Sequence, residues 1–499
     1  MSVMGIWNRL GRRMPVERLQ EEAGARHDLR RVLGLWQLSA IGVGAIIGVG
    51  VFVLAGQQAA VNAGPAVTLS FLIAGLGSAC AALAYAEFAG MIPVTGSAYT
   101  YAYAVLGELL AWIIGWDLLI EYALVCAVVA IGWSGYVQAL LEQLTGWQLP
   151  LWARGAYDPV HPHGGRVCDV IALGIALVVA WLLTRRTEWG ARVNTVIVAI
   201  KVLGVALVIG VGAFYVDTAH WHPFVPPPVT DAQGVTHYGW GGVLAAASIV
   251  FFAVFGYDTL TTAAEEARHP QRDLPRAVLL SLALSMVLYV AVALVLTGMV
   301  PYQRLDSPAP VDAAFKALGL DWVRAVISVA AIAGITSVLF AFMLGAARIA
   351  FALARDGLLP GWFAQVHPKH GTPARPTRVL GVFIALVAGF LPIGEVAELV
   401  NIGTLAAFIV ICGAVLTLRV RHPELPRSFR APALWLVAPL GMLFSLCLIV
   451  GWPWWQDGRF VLLGGLPAVT LVRFVVWMAI GLVIYAAYGI RHSRLARTP

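Results

Sequence analysis

Long apolar runs alternate with short polar stretches along nearly the whole chain, as at 67–84, 170–183, 193–213, 277–300 and 432–450. A membrane-crossing helix needs about 20 apolar residues, and the pattern predicts about twelve such helices. They fall near 35–55, 66–90, 105–140, 168–184, 193–216, 241–262, 276–300, 322–354, 377–393, 397–418, 432–452 and 468–490. No second domain is marked off, because the connecting stretches are short.

Composition removes the competing explanation for these runs. The 499 residues are 60% hydrophobic and 12% charged, whereas a soluble chain carries roughly 45–50% apolar and about 25% charged residues. The core of a large soluble protein could not supply so many apolar helices with so little charged surface. Arg and Lys then set the orientation. With both termini in the cytoplasm, 25 of the 33 basic residues fall on that side, in the N-terminal tail, the alternate loops and the C-terminal end. Seven fall on the other side, which is the asymmetry expected of a multi-pass cell-membrane protein. The Arg-rich first thirty residues read as a cytoplasmic tail and not as a signal peptide. The formal charge of +7 calls for no nucleic acid partner, since the basic residues sit at helix ends. Five scattered cysteines suggest neither a disulfide framework nor a metal site.

Two spans carry interruptions. The first holds Gly42, Gly44, Gly48 and Gly50, and each glycine weakens a helix by roughly 1 kcal/mol relative to alanine. The sixth reads Phe251-Phe252-Ala253-Val254-Phe255-Gly256-Tyr257-Asp258, with an acid two residues after a glycine. Glycines also let helices pack closely, but paired breaks five spans apart fit a transporter site better. Unwound backbone is tolerated at that depth only where it lines a cavity or is covered by protein. N–H groups opening the outer half of the first span would bind a carboxylate. Carbonyls around Val43 to Ile46 and Phe252 to Val254 would bind an ammonium. A zwitterionic amino acid is thereby recognised at both ends without a charged side chain.

Ionisable groups inside a span are costly and are functional candidates. Lys201, the basic residue left over from the two faces, lies within the fifth span and is a candidate for taking up and releasing a proton; a structural, salt-bridged lysine is the plainer alternative. Asp117 and Glu121 share a face of the third span at i, i+4, and Asp258 is the other deep acid. A Glu121–Asp258 pair would share a proton, meet a cationic substrate side chain, or simply hold two helices together. Thr336 and Ser337 offer hydroxyls near the first break. All eleven histidines fall in loops or tails, so no span offers an imidazole to a metal or haem; His161/His163 and His220/His222 read as solvated loop.

Several pieces in order carry a resemblance: Arg31-Val-Leu-Gly34, Gly44-Ala-Ile-Ile-Gly-Val-Gly-Val-Phe52, Tyr85-Ala-Glu87, Pro93-Val-Thr-Gly96-Ser-Ala-Tyr99, Glu265-Glu266-Ala-Arg-His-Pro270 through Pro275, and Arg355-Asp356-Gly357-Leu-Leu-Pro360. Over nearly its whole length the chain resembles the amino acid–polyamine–organocation superfamily, and within it a bacterial member of the cationic amino acid transporter family. The resemblance implies an all-α polytopic membrane protein of the leucine-transporter type. Its parts would be a tail at 1–30, inverted repeats at 31–217 and 218–420, and two added helices with a tail at 421–499. It places Val43, Gly44, Ile46, Ile47, Gly48, Val49 and Gly50 on the substrate, with Phe252, Ala253, Val254 and Phe255 walling the pocket. Lys201, Glu121 and Asp258 would handle the proton, and the two acids would also meet the substrate side chain. Many relatives have Thr where this chain has Val49, so one hydroxyl is missing beside the binding loop.

The expectation is therefore a proton-coupled amino acid permease working by alternating access, with no cofactor and no enzymatic activity. Its partners are a free amino acid, protons and the bilayer, with room for a small single-span membrane subunit. An amino acid or polyamine exchanger moving no net proton is the alternative, and a non-transporting amino acid receptor a further one. Cationic and small neutral substrates stay open: a cationic side chain needs Glu121 or Asp258 ionised and unpaired.

Overall fold

The computed structural model describes residues 33–91, 99, 102–103, 107–157, 165–185, 191–230, 236–260, 267–367, 372–456 and 459–494. The N-terminal tail, residues 93–98, His161, His163, Glu265 and Glu266 lie outside them. The protein is an all-α polytopic membrane protein. Its main helices are α1 (Leu35–Ile46), α2 (Val67–Met91), α3 (Glu108–Thr145), α4 (Val170–Thr184), α5 (Ala191–Gly212), α6 (Gly239–Val254), α7 (Pro270–Met299), α8 (Asp321–Arg355), α9 (Ala374–Phe390), α10 (Ile393–Arg421), α11 (Leu434–Val450) and α12 (Ala468–Ile484). Among the described residues, eight helical runs are long and apolar enough to cross a membrane, and α1, α4 and α11 are shorter apolar helices.

Boundaries move from the hydropathy reading where caps decide them. Asp169 ends the loop before α4 by accepting the Ala172 N–H at 2.9 Å, the usual device for an unpaired helix N-terminus. Gly146, left-handed at φ 69°, closes α3 five residues beyond the expected end, as such a C-cap glycine does. Large apolar side chains such as Leu203, Val287 and Val483 stand about two-thirds exposed around the outside. In water that would be an anomaly; facing lipid it is the ordinary state of a span.

Helices five places apart lie against one another: α2 on α7, α3 on α8, α4 on α9. Other contacts come in matching pairs, α2 with α6 and α7 with α1, α3 with α10 and α8 with α5. The central helix is α6, whose apolar window is 89% buried, while that of α12 is 17% buried. A two-stranded hairpin, Trp452–Gln456 with Arg459–Leu463, joins α11 to α12. Over the end opposite the arginine-rich face, the short helix Pro310–Ala317 covers the first span. Its Asp312 makes a two-pronged, nearly water-free bond to Arg324 of α8 at 3.0–3.1 Å.

Candidate functional site

The first span is two helices. Ile47 leaves α1 with extended backbone (φ −72°, ψ 108°), its N–H returning to Val43 O at 2.8 Å. Helical geometry resumes at Val49, then runs through π-helical Gly50–Leu54. Only Ile47 and Gly48 are unwound, so three of the four glycines interrupt nothing. They are contact points instead. A β-carbon on Gly42 would strike Ser281, one on Gly44 would strike Val198, and one on Gly50 would lie 2.6 Å from the Ala253 α-carbon. Both readings of the glycine run hold, each for different residues.

The sixth span stops at Val254. Phe255 is extended, and Gly256 takes φ 110°, a conformation that side chains resist. The chain then makes one tight turn, Thr259 Oγ1 donating to Gly256 O at 2.6 Å. The two breaks face each other: a β-carbon on Gly256 would come 3.2 Å from Ala45 O. Ser78 of α2 fixes the end of α6 by donating to Val254 O at 2.9 Å.

A small cavity lies at this junction, with free space of about 10 Å³, room for roughly one water, so the two breaks stand nearly closed on each other. Its wall comes from Ala45, Ile46, Gly48, Val49 and Gly50 of the first span and Phe252 and Phe255 of the sixth. Val125 and Val129 of α3 and Val338 and Phe342 of α8 complete it. No side chain in that wall is charged or carries a hydroxyl. Sequence reasoning named six of these residues and missed Ala45 and the four from α3 and α8. The pairs Val125/Val129 and Val338/Phe342 are both i, i+4, the only signal they gave. Val43, Gly44, Ile47, Ala253 and Val254 are buried and do not line it. Val49 packs on α3, where a β-carbon at Gly132 would meet it at 2.7 Å.

Several carbonyls freed by the first break are already taken. Lys201 is fully buried, and its Nζ donates to Gly44 O at 2.7 Å and to Ile47 O at 3.2 Å. Tyr289 of α7 donates to Ile46 O at 2.7 Å. Lysine thus closes the C-terminal end of α1, where unpaired carbonyls and the helix dipole both favour a cation. Gly334 of α8 makes room for its stem, since a β-carbon there would sit 2.6 Å from Lys201 Cγ.

The acids form a separate buried group between α3, the turn after α6, and α10. Tyr122 donates to Asp258 Oδ2 at 2.6 Å. Glu121 is in electrostatic reach of Asp258 and Asp117, and Thr404 of α10 donates to Val400 O at 3.1 Å. Asp117 presses on α10 where only glycine fits, as a β-carbon on Gly403 would come 2.6 Å from its Oδ1. Asp117 Oδ1 and Glu121 Oε2 have no hydrogen-bond partner among the described residues. None of these acids lines the cavity. Thr336 and Ser337 donate their hydroxyls within their own helix, to Ile332 O at 2.6 Å and Gly334 O at 2.9 Å, and Thr336 Oγ1 also accepts from Trp133 Nε1 of α3 at 2.8 Å.

Among the described residues, no group of His, Cys, Asp and Glu could hold a metal ion. A bundle of spans holding a small cavity between two facing helix breaks defines a membrane transporter. The match to the amino acid permease family covers residues 33–487. The chain belongs to that family, within the amino acid–polyamine–organocation superfamily. It is 41% identical to the branched-chain amino acid permease BcaP of Bacillus subtilis (strain 168) over 485 residues, covering 97% of this chain and 98% of that one. It is 42% identical over 486 residues to the methylthioribose transporter of the same organism, covering 97% and 99%. Against the vacuolar cationic amino acid transporter 4 of Arabidopsis thaliana, identity is 35% over 398 residues, covering 80% of this chain and 65% of the relative.

Proposed function

We propose that the protein is a secondary active permease that carries a small aliphatic amino acid together with a proton by alternating access. The observation that carries this is the wall of the cavity, which is apolar on every side chain and lies against unwound backbone. An aliphatic side chain fits such a wall; a guanidinium or ammonium side chain there would be buried without a counter-charge, at a cost of several kcal/mol. The carboxylate goes to the N–H groups that open the helix at Val49 and Gly50, and the ammonium to carbonyls bordering the cavity at Ala45 and Phe252. Methylthioribose, the cargo in one relative's name, brings sugar hydroxyls for which this wall offers no side-chain partner.

Proton handling falls to Lys201 and to the Asp117–Glu121–Asp258 group. The matched helix contacts support two repeats, 31–217 and 218–420, followed by two added helices. The charge asymmetry supports a cell-membrane protein with both termini in the cytoplasm.

Purified protein in proteoliposomes tests the proposal. Empty vesicles with an alkaline interior should accumulate labelled leucine or alanine, and a protonophore should abolish the accumulation. Uptake that occurs only with amino acid already inside would make the protein an exchanger. Thermal stabilisation by arginine and lysine alone would overturn the aliphatic substrate.

A further inference from the structure

We propose that the seam between α4 and α9, at the arginine-rich face, binds an anionic phospholipid. Its phosphate is held by Arg185, Arg375 and Arg378, and its acyl chains lie on the exposed stripe that leads to them.

The lipid-facing stripe of α4 runs through Val178 and Trp181, each about half exposed, and one turn on it ends at Arg185. That guanidinium lies over the Trp181 ring, 4.6 Å from its centre. The stripe of α9 runs the other way: Leu386, Val382 and Val379 are also about half exposed, and one turn earlier comes Arg375. Its guanidinium lies over Trp362, 5.2 Å from the ring centre. Arg378 is exposed beside it. The two helices are in contact, with Gly381 against Ala180. Thr372 donates to Thr184 O at 3.2 Å, so the last residue of α4 meets the loop that starts α9. Both apolar stripes therefore end in tryptophan-backed arginine at the same place.

Tryptophan backing sets Arg185 and Arg375 apart: they are the two arginines among the described residues whose guanidinium lies over an aromatic ring. Arg419 and Arg427 are spent on Glu87, Arg324 on Asp312 and Arg473 on Glu395. Among the described residues no carboxylate pairs with Arg185, Arg375 or Arg378. The first turn of α9 adds the positive end of a helix dipole. Stacked tryptophan leaves each guanidinium edge free for the paired N–H bonds that suit a phosphate. Tryptophan also favours the depth at which headgroups lie, and basic pockets between spans recognise acidic headgroups. The occupant is thus a lipid with a net negative headgroup, from the leaflet on the arginine-rich side.

Each arginine near an anionic lipid surface contributes about fivefold in affinity. Native mass spectrometry and thermal denaturation of the full chain in detergent, titrated with phosphatidylglycerol, test this. Retained phosphatidylglycerol and a raised melting temperature are expected, with little response to phosphatidylcholine. The Arg185→Gln, Arg375→Gln, Arg378→Gln triple variant should bind phosphatidylglycerol at least about twentyfold more weakly, while Arg430→Gln on the same face should bind as the parent does. Should the triple variant fail to fold, Arg378→Gln alone should lose about fivefold. Unchanged binding in the variants, an equal response to phosphatidylcholine, or the full shift with inorganic phosphate alone would each overturn the lipid site.

Discussion

Lys201 Nζ sits 2.7 Å from the carbonyl oxygen of Gly44, tying α5 to the last turn of α1 at the edge of the first-span break. The bond joins a buried titratable group to the backbone of the helix beside the cavity. Loss of the ammonium's proton removes a charge-assisted donor from the α1 carbonyls.

Lys201→Met keeps most of the volume and removes the donor. Leaving the Gly44 and Ile47 carbonyls without it costs about 1–3 kcal/mol, visible as a lowered melting temperature. The larger effect is expected on function. Leucine accumulation driven by a pH gradient should be lost, and the pH dependence of any residual uptake should flatten. A variant with the parent's pH profile takes Lys201 out of the proton path.

Gly50 and Gly256 tolerate no side chain, for different reasons. In Gly50→Ala the new methyl meets the Ala253 backbone, and overpacking of this kind costs about 1–3 kcal/mol. Gly256→Ala forces φ 110° on a residue with a β-carbon, at about 1–3 kcal/mol. Both variants should weaken leucine-induced thermal stabilisation, because both shift one break relative to the other. Gly174→Ala, with open space around it, should behave as the parent.

These glycines also mark how far the sequence could be read. Runs such as 67–84 and 277–300 declared their helices, since apolar length is all a span requires. The glycine-rich segment located the first break but not its two residues. Gly44 packs on Val198 inside α1 and Gly48 faces Val338 at the break, contacts made with residues far along the chain. The facing of Ala45 and Gly256 was implied by paired breaks; the cavity wall was not. A valine in a span is the default residue, so Val125, Val129 and Val338 looked like every other lipid-facing or packed valine. Glu121 and Asp258, expected to meet the substrate side chain, do not border the cavity wall.

The Asp312–Arg324 bond is the place where stability should be most sensitive away from the cavity. Both side chains are under a tenth exposed. Removing Asp312 leaves Arg324 only the solvated Asp321, at 2.8 Å, so the cost falls below the roughly 3–5 kcal/mol of a fully orphaned buried charge. Asp312→Asn should lower the melting temperature far more than Glu142→Gln, whose partner Lys316 is solvated. The Asp312→Asn, Arg324→Met double variant should recover much of the loss. A melting temperature unchanged in Asp312→Asn would mean that solvent reaches the arginine.

The acid group and Lys201 make separable predictions. Tyr122→Phe removes the donor to Asp258 Oδ2, a bond to a carboxyl group worth about 1.5–3 kcal/mol if the group is charged. Glu121→Gln leaves the shape and removes one proton site from the group that also contains Asp117 and Asp258. If this group carries the coupled proton, Glu121→Gln should abolish accumulation driven by a pH gradient while leucine still exchanges across the vesicle membrane. Its leucine-induced stabilisation should match the parent's, because Glu121 does not border the cavity. Loss of leucine binding together with coupling would place the carboxyl group on the substrate instead, and that outcome would restore the case for a cationic cargo.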